Sequence, residues 1–138
     1  MLLECIGNTP GQLLTQRAKN AYKREIHQDE VYLEIGKRYI CYGVVFRSGE
    51  DLPWFLVCED DDYPTPHLGE FFKIVAGEIS EGWEFTTSLV NVGKTGILPI
   101  QWANDPAFME KLINEDKDAL DYFAKLKADM EKRFSPTL

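Results

Sequence analysis

Tyr39-Ile40-Cys41-Tyr42-Gly43-Val44-Val45-Phe46 and, after a polar interval, Trp54-Phe55-Leu56-Val57-Cys58 decide the fold. Both runs are short and rich in β-branched and aromatic residues, the composition of half-buried strands. The interval Arg47-Ser48-Gly49-Glu50-Asp51-Leu52-Pro53 collects turn formers and charges, so the two runs are expected to form a hairpin with a polar tip. Just upstream, Val31-Tyr32-Leu33-Glu34-Ile35 has the same character and is separated from Tyr39 by Gly36-Lys37. Three such segments in succession predict an antiparallel meander.

Downstream, Glu59-Asp60-Asp61-Asp62-Tyr63-Pro64-Thr65-Pro66 stacks like charges and then two prolines that donate no backbone hydrogen bond, which predicts an exposed loop. Strand character returns at Phe71-Phe72-Lys73-Ile74-Val75, at Trp83-Glu84-Phe85 and at Ile97 to Trp102, with Gly77 and Gly82 as punctuation and Ser88 to Gly96 as a loop. Near the start, Leu2 to Ile6 reads as a strand. Thr9, Pro10 and Gln12 then supply a cap, a first-turn proline and a capping-box partner, and Leu14, Ala18, Ala21, Tyr22 and Ile26 follow at helical spacing. A helix to about Lys23 is one reading; a long ordered loop is the other, because Gly11 weakens the helix. At Asn104-Asp105-Pro106 helix-start chemistry appears again, ahead of Phe108, Met109, Leu112 and Ile113. A second helix begins near Asp116 and repeats Ala119, Phe123, Leu126, Met130 and Phe134 on one face until Ser135-Pro136. Strands first and helices last predict one α+β domain over 1–138: a small antiparallel, partly open β-barrel or twisted sheet over about 31–102, packed against a helical segment over about 104–134.

The 138 residues carry 15 basic and 23 acidic side chains, a net charge of −8. That field opposes approach to nucleic-acid backbones and anionic membranes and favours encounter with basic proteins. The first residues lack the basic flank and apolar length of a secretion signal, and no uncharged apolar run approaches the roughly 20 residues a membrane-spanning helix needs. A cytoplasmic protein is expected. Cys5, Cys41 and Cys58 each sit in an apolar, strand-like setting, where a reduced thiol behaves as a small hydrophobe. Paired zinc-ligand spacings are absent; only Cys41, Cys58 and His67, if folding brought them together, would offer a three-ligand set.

For nucleophilic catalysis the usual base is histidine, and the chain has only His27, in a charged segment, and His67, after the acidic loop. Both read as surface residues, His67 also as a pH-sensitive contact. Asp60, Asp61 and Asp62 are neighbours on one loop, without the facing geometry of glycosidase carboxylates or the alternating spacing of a calcium loop. Gly93-Lys94-Thr95 lacks the upstream glycine of a nucleotide-binding loop, since position 88 is Ser. No enzyme, cofactor or metal is therefore expected. What remains is an anionic recognition surface made by Glu59, Asp60, Asp61, Asp62 and Tyr63 beside the hairpin tip Glu50-Asp51. It suits a basic partner protein; its plainer reading is a solvated turn that keeps a sheet edge soluble.

Leu33 to Val44, then Trp54-Phe55-Leu56-Val57, then Phe71 to Val75 and Gly82-Trp83, preceded by Glu4-Cys5-Ile6-Gly7-Asn8, form an order that resembles a group of small bacterial proteins with an SH3-like, partly open β-barrel. The likeness spans roughly Leu3 to Trp83. It implies an immunity protein that binds and neutralises a cognate toxin, a basic nuclease-type domain, in contact-dependent or polymorphic toxin systems. It carries no site residues with it. The alternative is an SH3-like adaptor that holds a peptide between aromatic walls, for which Tyr42, Trp54 and Tyr63 are the candidates.

Overall fold

The computed structural model describes residues 1–29, 31–47, 49–60, 63–87, 95–136 and 138. In chain order its elements are β1 (Leu2–Cys5), α1 (Gln16–Glu25), β2 (Arg38–Ile40), β3 (Val44–Phe46), β4 (Pro53–Val57), β5 (Thr65–Leu68), β6 (Phe72–Ala76), β7 (Trp83–Thr86), β8 (Thr95–Pro99), α2 (Ile100–Ala103), α3 (Phe108–Ile113) and α4 (Lys117–Phe134). The strands make two antiparallel sheets, β2-β1-β6 and β5-β4-β3-β8-β7, and among the described residues they do not close into a barrel.

The stretch Tyr39–Phe46 explains why there are two sheets. It changes partner midway. Leu2 lies opposite Ile40 and the Cys41 amide donates to the Met1 carbonyl at 2.9 Å, so the first half belongs to β1. The Tyr42 amide donates to Leu56 and the Leu56 amide to Gly43, at 2.8 and 2.9 Å, so the second half belongs to β4. The crossing point is Gly43, where a Cβ would collide with the side chains of Leu98 and Leu56. Those leucines are fully buried, and a side chain at position 43 would have to displace one of them.

The expected meander over 31–58 is therefore half right. β3 and β4 form the hairpin, with Phe46 opposite Pro53. Val31–Ile35 is not a strand. Its alternation is real, since Val31 and Leu33 are buried while Tyr32 and Ile35 are exposed. But the place beside β1 is taken by β2 and β6, so this segment is held by separate bonds to the stretch around 5–8 instead of by a ladder: Val31 N–H to Asn8 O, Asn8 Nδ2 to Leu33 O, and Gly36 N–H to Cys5 O. A strand needs a free neighbour as well as a pattern.

The loop expected over 59–66 also ends early. Thr65 and Pro66 open β5, which among the described residues pairs only with β4 and forms the outer edge of the larger sheet, a place where a proline's missing N–H costs nothing. At the other end, the strand expected over Ile97–Trp102 stops at Pro99 and becomes α2, which buries Trp102 against Phe108 with ring centroids 5.0 Å apart. Of the loop expected over Ser88–Gly96, positions 88–94 lie outside the described residues, and Thr95 and Gly96 belong to β8.

Near the N-terminus the helical reading holds, displaced. Thr9, Pro10 and Gln12 close only a single 3₁₀ turn, and α1 is capped by Thr15, whose hydroxyl accepts from the Ala18 amide. Glu70 reinforces this cap from the middle of the sequence, accepting from the Leu14 and Thr15 amides at 2.7 and 3.0 Å and from the Thr15 hydroxyl. α4 begins beside Asp116, as expected; the Asp116 carboxylate caps it by accepting from the Ala119 amide, and its Phe123 stands edge-on to Tyr42 at 5.1 Å. Phe123 is 1% exposed, so the aromatic stripe is core, worth roughly 1.5–3 kcal/mol for that side chain alone. Cys5 and Cys41 are buried and Cys58 half-buried, all free thiols, and burial pushes Cys41 up to about 11. No helix of the described residues is long and apolar enough to cross a membrane.

Candidate partner-binding surface

The hairpin tip between β3 and β4 is not an open acidic patch, because α1 brings its cations to it. Arg24 meets the Glu50 carboxylate at 2.8 Å, Arg17 pairs with Asp51, and Arg47, just after β3, reaches back to Glu25 at 2.8 Å. Glu50 also accepts from the Trp54 indole N–H at 3.0 Å, and its side chain is only 9% exposed. The Arg47 guanidinium lies 4.2 Å over the Trp54 ring, which extends the same network. Two of the seven expected contact residues thus hold a helix to a hairpin.

The second acidic segment lies elsewhere. Glu50-Asp51 precedes β4 and Glu59-Asp60 follows it, so five strand residues, roughly 17 Å at strand rise, separate the two groups that were expected side by side. Glu59 is bound to His67, whose Nε2 stands 3.0 Å from its carboxylate and 3.1 Å from the Thr65 hydroxyl. His67 itself is 5% exposed, on β5 rather than on a loop: the proline before it marks a strand edge, not a turn. Asp60 is exposed and Tyr63 half-buried, while Asp61 and Asp62 lie outside the described residues. The aromatic walls of the alternative adaptor do not form either. Tyr42 and Trp54 are 2% and 1% exposed, inside the core, and burial raises the Tyr42 hydroxyl far above its ordinary range. Cys41, Cys58 and His67 form no ligand set; no group of three or more His, Cys, Asp or Glu that could hold a metal occurs among the described residues.

A different surface, unmarked by any motif, runs from β6 to β7. From Lys73 to Phe85 the only buried residue is Ser80, which donates to Met130 Sδ at 3.6 Å and accepts from Arg133, and so pins the connector to α4. On either side of that pin Ile74, Val75, Ile79 and Phe85 are exposed, and Glu78, Glu81 and Glu84 stand among them. Of these three carboxylates, Glu78 meets Arg133 at 3.7 Å. Between Lys73 and Lys94 the sequence holds no lysine or arginine at all. The signal was present in the sequence as that missing base, although not in any spacing.

Strand register gives this surface its shape. His67, Phe55, Val44, Ile97 and Phe85 lie opposite one another in turn across β5, β4, β3, β8 and β7, one row on one face of the larger sheet. The row is buried at His67 and Phe55, half-buried at Val44 and Ile97, and ends at Phe85, 66% exposed. Its buried end borders an apolar groove of about 320 Å³ lined by Ile6, Leu14, Phe55, Phe72 and Ile74. An apolar ladder that opens to solvent at an acidic edge can take an apolar side chain and a cation together, the usual chemistry of a protein contact. No protein-family model, no curated protein and no solved structure matches this chain.

Proposed function

We propose that this protein is a non-catalytic binding module that captures a basic protein, and that it serves as the cytoplasmic immunity partner of a bacterial toxin, a basic nuclease-type domain. The observation that carries this reading is the strip from Ile74 to Phe85: exposed apolar side chains and three glutamates, with no base before Lys94, on a chain of net charge −8. Long-range attraction steers a cationic partner, and the apolar residues supply what charge alone does not, since exposed ion pairs contribute little. The likeness to small SH3-like immunity proteins adds the biological setting. The binding chemistry is argued without it, from the exposed apolar and acidic side chains between Ile74 and Phe85. The adaptor alternative loses ground, because two of its three intended aromatic walls, Tyr42 and Trp54, are core residues.

The test is capture of a basic toxin domain encoded beside this chain, measured by stopped-flow or surface-bound kinetics at about 50 and 300 mM salt. Association should slow steeply with salt, because charges more than about 8–10 Å apart are screened at physiological ionic strength. Glu81→Gln with Glu84→Gln should slow it further than Asp60→Asn, Asp61→Asn and Asp62→Asn together. Equal rates for the wild type and both variants would take the acidic residues out of recognition, and absence of binding sinks the immunity assignment for that pair.

A further inference from the structure

Glu4, Glu25, Glu50, Asp51 and Asp105 each stand in an ion pair with a lysine or arginine of the fold. Glu70 does not, among the described residues. Its three hydrogen bonds come from neutral donors, the Leu14 and Thr15 amides on Oε1 and the Thr15 hydroxyl on Oε2. Against the effect of burial, those bonds hold its carboxyl below the ordinary 4.5, so it is charged at neutral pH, and Lys19 acts on it through space without an ion pair. Glu70 is also the one charged residue in the lining of the groove of about 320 Å³ that runs from Leu14, ahead of α1, to Phe55 on β4 and Ile74 on β6. No lysine or arginine lines it. Along the groove Ile6, Leu14 and Ile74 are 46%, 82% and 54% exposed, while Phe55, Leu68 and Phe72 are buried. An open apolar trough thus carries one carboxylate with no cation bound to it.

We propose that this groove is a lysine pocket: it takes one lysine side chain of a basic partner, with the aliphatic stem along Ile6, Leu14 and Ile74 and the ammonium at Glu70. The lysine pocket rests on the basic partner proposed above and specifies how that partner is anchored. Its volume lies at the lower end of the roughly 300–1,000 Å³ of small-ligand pockets, which suits one side chain rather than a whole element. A lysine buries its methylenes along apolar surface and keeps its charged head free to meet another group. A carboxylate between low-dielectric walls attracts that head more strongly than one on an open surface. Lysine also fits better than arginine. Oε1 already accepts two amides and Oε2 a hydroxyl, which leaves about one of a carboxylate's roughly four acceptor positions, enough for an ammonium hydrogen and too few for the two parallel bonds of a guanidinium. A wholly apolar side chain would strip water from Glu70 and return no charge. Ile74 belongs both to the groove and to the strip that ends at Phe85, so a partner lying on the strip reaches the groove. A second copy of this chain is a poor occupant, since two chains of net charge −8 repel.

The probe is a capped peptide with a central lysine, arginine or norleucine between glycines, titrated into the full chain with methyl-labelled isoleucine and leucine and read by NMR. The lysine peptide shifts the Ile6, Leu14 and Ile74 methyl signals saturably. It binds roughly fivefold more tightly than the norleucine peptide, which has a similar stem and no charge, and about threefold more tightly than the arginine peptide. Glu70→Gln removes the preference for lysine over norleucine. Leu14→Ser, at a side chain 82% exposed and so without cost to the fold, weakens the lysine peptide about threefold and keeps the test decisive if the change at position 70 loosens α1. Equal binding of the lysine and norleucine peptides by the wild type, a lysine preference that survives Glu70→Gln, saturable shifts confined to other methyl groups, or the same shifts on concentrating the chain alone would each overturn the lysine pocket. The two proposals fail separately. If the basic toxin domain binds Leu14→Ser and Glu70→Gln as tightly as the wild type, the lysine pocket is wrong and the immunity reading survives; if the toxin domain does not bind the wild type while the lysine peptide does, the reverse holds.

Discussion

Glu50 gives the sharpest test of whether the acidic hairpin tip is architecture or contact surface. Its carboxylate meets two groups of different worth. The Trp54 indole N–H, 3.0 Å away, belongs to a residue 1% exposed, whereas the Arg24 guanidinium, 2.8 Å away, belongs to a side chain about half in solvent. Removing the acceptor with Glu50→Ala leaves the indole donor without a partner in a place where water enters poorly, a cost of about 1–3 kcal/mol. Glu50→Gln keeps an acceptor oxygen and loses only the charge, which for a half-exposed ion pair is worth about 0–1 kcal/mol. Asp51→Ala, where both partners are about two-thirds exposed, should change stability by less than about 0.5 kcal/mol. The order of loss in urea unfolding is therefore Ala at 50 well above Gln at 50, with Ala at 51 near zero. The reasoning is refuted if Glu50→Ala unfolds at the wild-type midpoint, or if Gln and Ala at position 50 are equally destabilised, since the indole bond would then carry no weight.

Two further perturbations follow from the same packing. Phe123→Ala removes a ring 1% exposed and edge-on to Tyr42 and should cost about 3–5 kcal/mol in denaturant unfolding; a loss under about 1 kcal/mol would free that face of α4 for a partner. At Glu70, burial alone would push the carboxyl up, but the Thr15 hydroxyl and the Thr15 and Leu14 amides, with Lys19 nearby, hold it below its ordinary 4.5. A depressed carboxylate adds stability that is full above about 4.5 and disappears as pH falls through the lower folded-state value, so thermal melts should show the gap between wild type and Glu70→Gln closing from pH 6 to pH 3. A constant gap would mean the Thr15 cap does not depend on the charge.

How much of this was legible in the sequence depends on whether a feature is set by neighbours in the chain or by neighbours in space. β3, β4, the hairpin between them and α4 follow from local composition and periodicity, and they appear where they were expected. Val31–Ile35 has strand composition too, but strand formation requires an open edge, and β2 and β6 already flank β1. Nothing within five residues can report that. Pro66 misled in the opposite sense: a proline excludes a central strand, and only the topology tells that β5 is an edge. Gly43 looked like one small residue in an apolar run, whereas it is the point at which the chain passes from one sheet to the other under Leu56 and Leu98.

The acidic residues show the same division more sharply. Counting charges along the chain singles out Glu50-Asp51 and Glu59 to Asp62, because runs of like charge are visible in sequence. Yet a carboxylate is available to a partner only if no cation within the fold has claimed it, and α1, a stretch whose sequence left helix and ordered loop both open, carries Arg17 and Arg24 to the first group. The Glu59 carboxylate lies 3.0 Å from His67 Nε2. The glutamates at 81 and 84 are spaced too widely to look like a run, and they remain exposed in a segment that contains no base of its own. For a protein of net charge −8, the acids that matter to a basic partner are therefore those left over after internal pairing. Glu81 and Glu84 are among them, and Glu84 adjoins Phe85, where the apolar row of the larger sheet runs out into solvent.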